Sequence, residues 1–263
     1  MYKVMPIDRG SRIAPLLLII FTLLLIAAGH VRSEELTAKQ IVVKANDLLH
    51  GKSNTAVATM TVVKPDWSRE VSMKLWALEP DFALILITDP AKDRGSVTLK
   101  RQTQVWNWIP SIQRVIKIPP SMMLQPWMGS DFTNDDLVRE SSIVEDYNQT
   151  SLGSDSVGGY DCYKIQLNPK PEAGVVWGKV IMWVSKTGFM EMKVEYYDED
   201  STLVKYMIGS NVRDIGDRTL PMHWEMHPVD KPNEMTVLDY SEMKFDVALE
   251  PSFFSERNMK RVK

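Results

Sequence analysis

An amphipathic helix is the first element that the hydrophobic pattern predicts. Between residues 37 and 49, apolar side chains from Ile41 to Leu49 recur at the spacing of one helix face. Thr37 precedes them as a candidate N-cap, and Gly51 follows them as a candidate C-terminal stop. The pattern therefore predicts one helix at the start of the folded part of the chain.

After this helix the pattern changes to a period of two. Apolar and polar residues alternate over residues 56–63 and return over 69–79, with turn-forming residues between them. Further short strands are predicted up to residue 118 and again from 150 to 245, with Gly158-Gly159 as a strong hairpin signal. The series predicts a mainly β (α+β) fold, either a barrel or a strongly curved antiparallel sheet.

Residues 119–137, which we call the insertion, separate the two runs of strands and have a different kind of sequence. Met122, Met123, Trp127 and Met128 lie here among three prolines and a glycine. The prolines exclude a long regular helix, and the flexible methionine side chains suit an apolar partner of variable shape. The segment is either a buried plug at the end of the sheet or a movable cover over an apolar cavity, and its position between the two runs of strands favours the cover.

The N-terminal residues resemble a secretory signal. Basic residues from Lys3 to Arg12 precede an apolar run over 15–28, and small residues follow it. The run is short for a membrane span, so a cleaved signal over residues 1–33 is expected, with an uncleaved anchor as the alternative. A single domain over residues 34–263, located in the periplasm, is the corresponding prediction.

The charge of that domain argues against a nucleic-acid partner. Of the 31 basic and 34 acidic residues in the chain, residues 34–263 keep 27 and 33, a net charge of −6. No basic footprint for nucleic acid is present. The single cysteine, Cys162, cannot form an intramolecular disulfide and is interpreted as a small buried side chain.

Motifs for catalysis and metal binding are sparse. The four histidines include His223 and His227, which with Glu225 point to one face of a predicted strand. Because the two histidines lie roughly 13 Å apart on a strand, one ion cannot bind all three side chains, and a polar outer face is the preferred interpretation. No nucleophile motif is recognisable, so no enzyme, no metal and no cofactor are predicted.

Large apolar side chains remain as the candidates for function. Trp106 and Trp108 share one face of a predicted strand, where they form either core or the wall of a dry pocket. The candidates for a lipid-binding cavity or its lid are Met73, Trp106, Trp108, Met122, Met123, Leu124, Trp127, Met128 and Phe132.

The chain also resembles a known family. The motifs Lys64-Pro-Asp-Trp-Ser-Arg69, Val105-Trp-Asn-Trp-Ile-Pro110 and Trp127-Met-Gly-Ser-Asp-Phe-Thr-Asn-Asp-Asp-Leu137 are similar to those of LolA/LolB-type proteins, in the branch of outer-membrane lipoprotein-sorting proteins. This resemblance implies an unclosed β-barrel whose concave face is covered by the N-terminal helix and the insertion. It also implies that acyl chains of a client bind between the sheet and its cover.

The resemblance further implies partners. A carrier of this type receives a lipidated protein from an inner-membrane transporter of the ABC or RND type and passes it towards an outer-membrane acceptor. Residues 119–137 depart from the short helices of the best-known members, so a free lipid or a hopanoid-like molecule stays open as the client. Better-known members use a basic residue near the pocket mouth, for which Arg69, Arg101 and Arg114 are the candidates. Two alternatives stay open: a lipid-sensing module that binds a protein partner, and an envelope hydrolase that uses acids between Asp131 and Asp136.

Overall fold

The fold is described from a computed structural model, which covers residues 1–2, 35–136 and 143–263. The chain divides into two units, Met1–Leu36 and Thr37–Lys263, and all helices and strands of the described residues belong to the second unit. The predicted signal and the last residue of the 119–137 segment fall wholly or partly outside the described residues. So does part of a second helix, over 134–145, which Asn134 as a cap and Asp135 and Asp136 in the first turn predict. No helix among those residues is long and apolar enough to span a membrane.

Two α-helices and thirteen strands make up the fold in the described residues. The helices are α1 (Ala38–His50) and α2 (Glu256–Met259). The strands are β1 (Ser53–Lys64), β2 (Trp67–Leu78), β3 (Phe82–Asp89), β4 (Val97–Arg101), β5 (Gln104–Ile109), β6 (Arg114–Lys117), β7 (Tyr147–Val157), β8 (Tyr160–Pro169), β9 (Lys179–Ser185), β10 (Glu191–Tyr197), β11 (Leu203–Ile215), β12 (Arg218–Pro228) and β13 (Met235–Phe245).

The predicted helix is confirmed, together with its start and its end. The Thr37 side chain accepts a hydrogen bond from the Gln40 backbone, and the Gln40 side chain accepts one from the Thr37 backbone. This reciprocal pair satisfies two amide groups that a helix N-terminus leaves without partners. Gly51 ends the helix at a φ of 63°, which a residue with a side chain rarely adopts.

All thirteen strands belong to one antiparallel sheet. Their order is β6-β5-β4-β3-β2-β1-β13-β12-β11-β10-β9-β8-β7, so β6 and β7 are the two edges, and in the described residues they do not pair with each other. Only the β1–β13 contact joins strands that are far apart in the sequence. The expectation of a mainly β fold with an unclosed sheet, covered by the helix and the insertion, is confirmed.

The two faces of the sheet carry different clusters. Met73 of β2 pairs with Ala58 and Ile87, and all three contribute to a cluster on the inner face, which is the face that α1 and residues 119–136 cover. The neighbouring positions point to the outer face. There Leu84 and Leu99 pack against Phe254 and other residues of the final segment, which is the chain after β13 (residues 246–263). Each face therefore has its own apolar core.

Candidate lipid-binding cavity

A cavity of about 240 Å³ lies on the inner face. Its walls come from the sheet, its cover from Leu49 and His50 of α1, and part of its closure from Trp127 and Phe132 of the insertion. Drug-sized and cofactor ligands occupy pockets of about 300–1,000 Å³. The volume of the cavity is therefore too small for a long acyl chain while the insertion stays in place.

Methionines of the strands form much of the cavity wall. Six methionines of the strands line it: Met60, Met73, Met182, Met207, Met226 and Met243. The first five are almost completely buried. Because methionine side chains are unbranched and polarizable, such a wall can adapt to ligands of different shape. Met60, Met73 and Met226 alternate with polar neighbours on their strands, so the sequence carries a signal for them, whereas Met182 and Met207 lie between apolar or aromatic residues. The predicted set includes only Met73 of these and otherwise names the methionines of the insertion.

The insertion divides its large side chains between the cavity and the solvent. Trp127 and Phe132 line the cavity, and Met128 packs beside them on the inner-face cluster. Met122 and Leu124 are exposed to solvent, and Met123 is half-buried. Of the predicted cavity residues, the structure therefore brings together Met73, Trp127 and Phe132, with Met128 next to them, and it places Met122, Met123 and Leu124 outside the cavity lining.

Trp106 and Trp108 lie on the outer face of the sheet. Cross-strand pairing aligns Trp106 with Leu99 and Trp108 with Val97, whose side chains belong to the outer core. Neither tryptophan lines the cavity. They share one strand face as predicted, but the final segment covers that face, so they belong to core and not to the pocket wall.

Trp127 is fixed to the sheet by one hydrogen bond and to its own loop by another. Its indole Nε1 donates to Oγ1 of Thr98 at 3.2 Å, and its backbone N donates to the Phe132 carbonyl at 2.7 Å. The second bond closes a tight loop over residues 127–132. Trp127 itself is 5% exposed, so its hydrogen bond to Thr98 orients a side chain that the apolar cluster already encloses.

Ion pairs attach the insertion to the rim of the sheet. Nζ of Lys64 lies 3.0 Å from Oδ1 of Asp131, and Nζ of Lys205 lies 2.6 Å from Oδ2 of Asp136. The Thr236 hydroxyl donates to Oδ2 of Asp131 at 2.7 Å. We call these three contacts the rim latch. Two acids considered for a hydrolase are therefore ion-paired anchors of the insertion.

The contacts of the rim latch raise the pKa of Lys64, the lysine at the end of β1. Burial alone would lower the pKa of Lys64, but hydrogen bonds to Glu234 and Asp131 outweigh it and raise the pKa above its ordinary value of 10.5. The Lys64–Glu234 distance is 2.6 Å, so this lysine pairs with two carboxylates. It stays charged at neutral pH and holds the insertion down.

None of the three predicted arginines lines the cavity. Arg69 forms an ion pair with Asp93 and donates to the Met128 carbonyl at 3.3 Å, so it contacts the insertion from outside. Arg101 and Arg114 are exposed. The basic residue that does line the cavity is Lys100, whose Nζ donates to the Pro80 carbonyl at 3.1 Å. Strand alternation points Lys100 inward and its neighbour Arg101 outward.

The histidines of β12 form a polar network on the outer face. Glu225 lies 3.2 Å from Nε2 of His223 and 2.9 Å from Nε2 of His227, and Nδ1 of His223 lies 2.7 Å from Asp239. Hydrogen bonds from the two histidines lower the pKa of Glu225 below 4.5. Burial would lower the pKa of His223, but hydrogen bonds to Asp239 and Glu225 outweigh it and raise the pKa above 6.5. Within the described ranges, no group of three His, Cys, Asp or Glu side chains is arranged to hold a metal ion.

Cys162 is part of the packing of the sheet. Its thiol is completely buried in an apolar cluster with Trp183 and Met192. Burial raises the pKa of Cys162, which keeps the thiol protonated and unreactive at neutral pH.

Comparisons with known proteins identify the family and the fold. A family model described as an uncharacterized protein matches residues 80–261. No curated protein matches the chain. Among solved structures, a DUF1329 family protein from Desulfovibrio piger superposes with a TM-score of 0.77 at 22% identity, over 84% of this chain and 97% of its own.

Two further structures have the same fold. One is described as an outer membrane lipoprotein-sorting protein domain from Vibrio parahaemolyticus, with a TM-score of 0.75 and 23% identity over 85% of this chain and 98% of its own. The other is a LolA superfamily protein from Nitrosomonas europaea, with a TM-score of 0.72 and 25% identity over 84% of this chain and 99% of its own. The resemblance noted in the sequence is therefore confirmed.

Proposed function

Because the chain belongs to the uncharacterized family whose model it matches and has the fold of the LolA superfamily, we propose that it is a periplasmic carrier of acyl chains. Its cargo is a lipidated protein or a free lipid. An inner-membrane transporter of the ABC or RND type supplies the cargo, and an outer-membrane acceptor receives it. The protein binds and releases this cargo without catalysing a reaction, and a cleaved signal over residues 1–33 directs it to the periplasm.

The observation that carries the proposal is the methionine-lined cavity under a latched cover. Each methylene group removed from water contributes about 0.8 kcal/mol, so an acyl chain has ample driving force to enter an apolar cavity. A wall built from Met60, Met182, Met207 and other flexible side chains suits a chain without fixed shape. Because a carrier also has to release its cargo, an adaptable wall suits it better than a rigid one.

The insertion provides the means of release. While Trp127 and Phe132 occupy the inner face, they compete with cargo for the same apolar wall. The ligand therefore has to displace the insertion, which reduces its apparent affinity by the free energy that holds the insertion closed. Affinity is thereby kept low enough for transfer.

Two measurements test the carrier function. Lipids extracted from the purified protein are identified by mass spectrometry, and binding of a fluorescent fatty acid analogue is measured by titration. Met207→Gln places an amide in the cavity wall, which we expect to weaken binding of the analogue by roughly tenfold, since a buried amide without a partner costs about 1–3 kcal/mol.

A matched variant separates binding from stability. Met192 is as deeply buried as Met207 but packs in another cluster and does not line the cavity. Met192→Gln should therefore destabilise the protein and leave its affinity for the analogue unchanged. If neither variant changes binding, or if the protein carries no acyl lipid and binds no analogue, the carrier proposal fails.

A further inference from the structure

Exposed apolar side chains are concentrated along the stretch of chain that contains edge strand β6. In the described residues, nine large hydrophobic side chains are exposed, and four of them fall within residues 112–124. These four are Ile112, Ile116, Met122 and Leu124, which are between 42% and 56% exposed. A concentration of such side chains in thirteen consecutive residues marks an interaction surface.

The same part of the chain is free of acidic residues. Residues 100–130 contain Lys100, Arg101, Arg114 and Lys117 and not one Asp or Glu, although the chain has 34 of these acids in 263 residues. Except for Lys100, these basic side chains are exposed. The exposed apolar side chains are therefore interleaved with positive charge alone.

The final segment adds more positive charge to this surface. Residues 257–263 contain four basic residues and no acid. Lys260 places its Nζ 5.5 Å from the ring centre of Trp108, and Lys117 places its Nζ 5.5 Å from that of Trp106. Two acid-free segments, far apart in the sequence, thus meet over the half-buried tryptophans of β5. We call the exposed apolar and basic residues of these two segments the β6 edge surface.

We propose that the β6 edge surface docks the protein on an anionic lipid bilayer. Phosphate headgroups attract the exposed basic side chains of these two segments, and each Lys or Arg near such a membrane strengthens binding about fivefold. Exposed Ile, Met and Leu side chains enter the boundary between headgroups and acyl chains, and lysine stems extend from there to the headgroups. The chain as a whole is acidic, so this surface fixes the orientation in which the protein approaches the membrane.

The β6 edge surface is continuous with the cover of the cavity. Leu124 points to solvent, and only three residues later Trp127 points into the cavity. On the premise of the proposed carrier function, contact of Leu124 with the membrane would displace the segment that holds Trp127, and cargo would leave where it is needed. Docking itself does not depend on that premise, because it is measured without cargo.

Co-sedimentation with vesicles tests the docking. The protein is mixed with vesicles of phosphatidylglycerol and phosphatidylcholine, or of phosphatidylcholine alone, at low and at high salt. We expect binding to the anionic vesicles at low salt and a loss of binding at high salt. The variant Lys117→Glu/Lys260→Glu should bind the anionic vesicles at least about 25-fold more weakly.

A second charge reversal serves as the matched control. Lys186 and Lys231 are also exposed, and Lys186 also lies over an aromatic ring, that of Tyr163, at 5.8 Å. The variant Lys186→Glu/Lys231→Glu has the same change in net charge but lies outside the β6 edge surface, so its binding should stay within about twofold of that of the unaltered protein. Equal losses for the two variants would show that only net charge matters and would overturn the proposal.

Two double variants test how much the exposed apolar side chains contribute to vesicle binding. Ile112→Ser/Leu124→Ser should weaken binding to anionic vesicles about tenfold or more, because the two side chains no longer enter the bilayer. Leu152→Ser/Val229→Ser removes apolar side chains of similar exposure elsewhere and should have no effect. Absence of binding to any vesicle, or capture of a protein partner by this surface without vesicle binding, refutes the proposal.

Discussion

Weakening the rim latch gives the sharpest test of how the cavity opens. Asp131 is only 9% exposed and accepts hydrogen bonds from Lys64 and Thr236, so Asp131→Asn removes the charge that pairs with Lys64 and keeps the size of the side chain. Breaking a fully buried ion pair costs about 3–5 kcal/mol, and breaking an exposed pair costs about 0–1 kcal/mol. Because Lys64 keeps Glu234 at 2.6 Å, we expect a loss of about 1–3 kcal/mol in the free energy of unfolding.

The same change should strengthen ligand binding. If ligand displaces the insertion, every 1.4 kcal/mol removed from the closed state improves the apparent affinity up to about tenfold. We therefore expect Asp131→Asn to bind a fluorescent fatty acid analogue several-fold more tightly and to associate with it faster. Equilibrium titration and stopped-flow mixing measure these quantities, and denaturant unfolding gives the stability.

An exposed ion pair provides the control for this test. The side chains of Asp89 and Arg94 are 58% and 61% exposed, and neither residue lines the cavity. Asp89→Asn should cost no more than about 1 kcal/mol and should leave the affinity unchanged. The reasoning is refuted if Asp131→Asn loses stability as expected but binds the analogue no faster and no more tightly, because the insertion is then a fixed plug.

The latch also predicts a dependence on pH. The pKa of Lys64 is raised in the folded protein, so its contribution to stability is fully present below pH 10.5 and is lost as the pH rises through the folded-state pKa. Unfolding curves recorded above pH 10.5 should therefore show a steeper loss of stability for the unaltered protein than for Asp131→Asn.

Three further variants test the packing and the polar network. Gly178→Ala should destabilise the protein by at least about 1–3 kcal/mol, because a Cβ there would lie 2.3 Å from the Asp198 carbonyl oxygen; an unchanged unfolding midpoint would contradict this close approach. Phe254→Ala should cost about 3–5 kcal/mol in denaturant unfolding without changing acyl affinity, since Phe254 is fully buried on the outer face; a parallel fall in affinity would argue against that placement. The raised pKa of His223 contributes stability that is lost as pH rises above 6.5, and the lowered pKa of Glu225 contributes stability that is lost as pH falls below 4.5. His223→Gln should therefore not show the loss of thermal stability above pH 6.5 that the unaltered protein shows. If the variant and the unaltered protein lose stability equally above pH 6.5, the histidine network is not the cause of that loss.

Local signals in the sequence were sufficient for the helix and most strands. The capping residues of α1 act through contacts only three positions apart, so Thr37 and Gln40 are readable from the sequence. Strand alternation also shows which side chains share a face, as it did for Trp106 and Trp108. These elements could be predicted because short-range geometry alone decides them.

Which face of a strand lines the cavity depends on contacts distant in the sequence. Trp106 and Trp108 belong to the outer core because Phe254 and Met259, about 150 residues later, cover that side of the sheet. The alternation of side chains defines the two faces of a strand, but it does not show which face is covered by α1 and the insertion. For the same reason the sequence does not distinguish Arg101, a predicted basic candidate, from its neighbour Lys100, which lines the cavity.

The insertion shows the limit of pattern reasoning most clearly, because its sequence has no period. In residues 119–136 a side chain's direction is set by particular contacts: Trp127 points inward because Thr98 accepts its hydrogen bond and the inner-face cluster encloses its ring. Leu124 stays exposed, a few residues along the chain from the exposed basic residues Arg114 and Lys117. Composition alone assigned all the large side chains of this segment to one role. The structure gives this segment two roles: Trp127 and Phe132 close the cavity, while Met122 and Leu124 point to solvent, next in the chain to the exposed basic residues of β6. A carrier that opens at a membrane needs both roles on the same short stretch of chain.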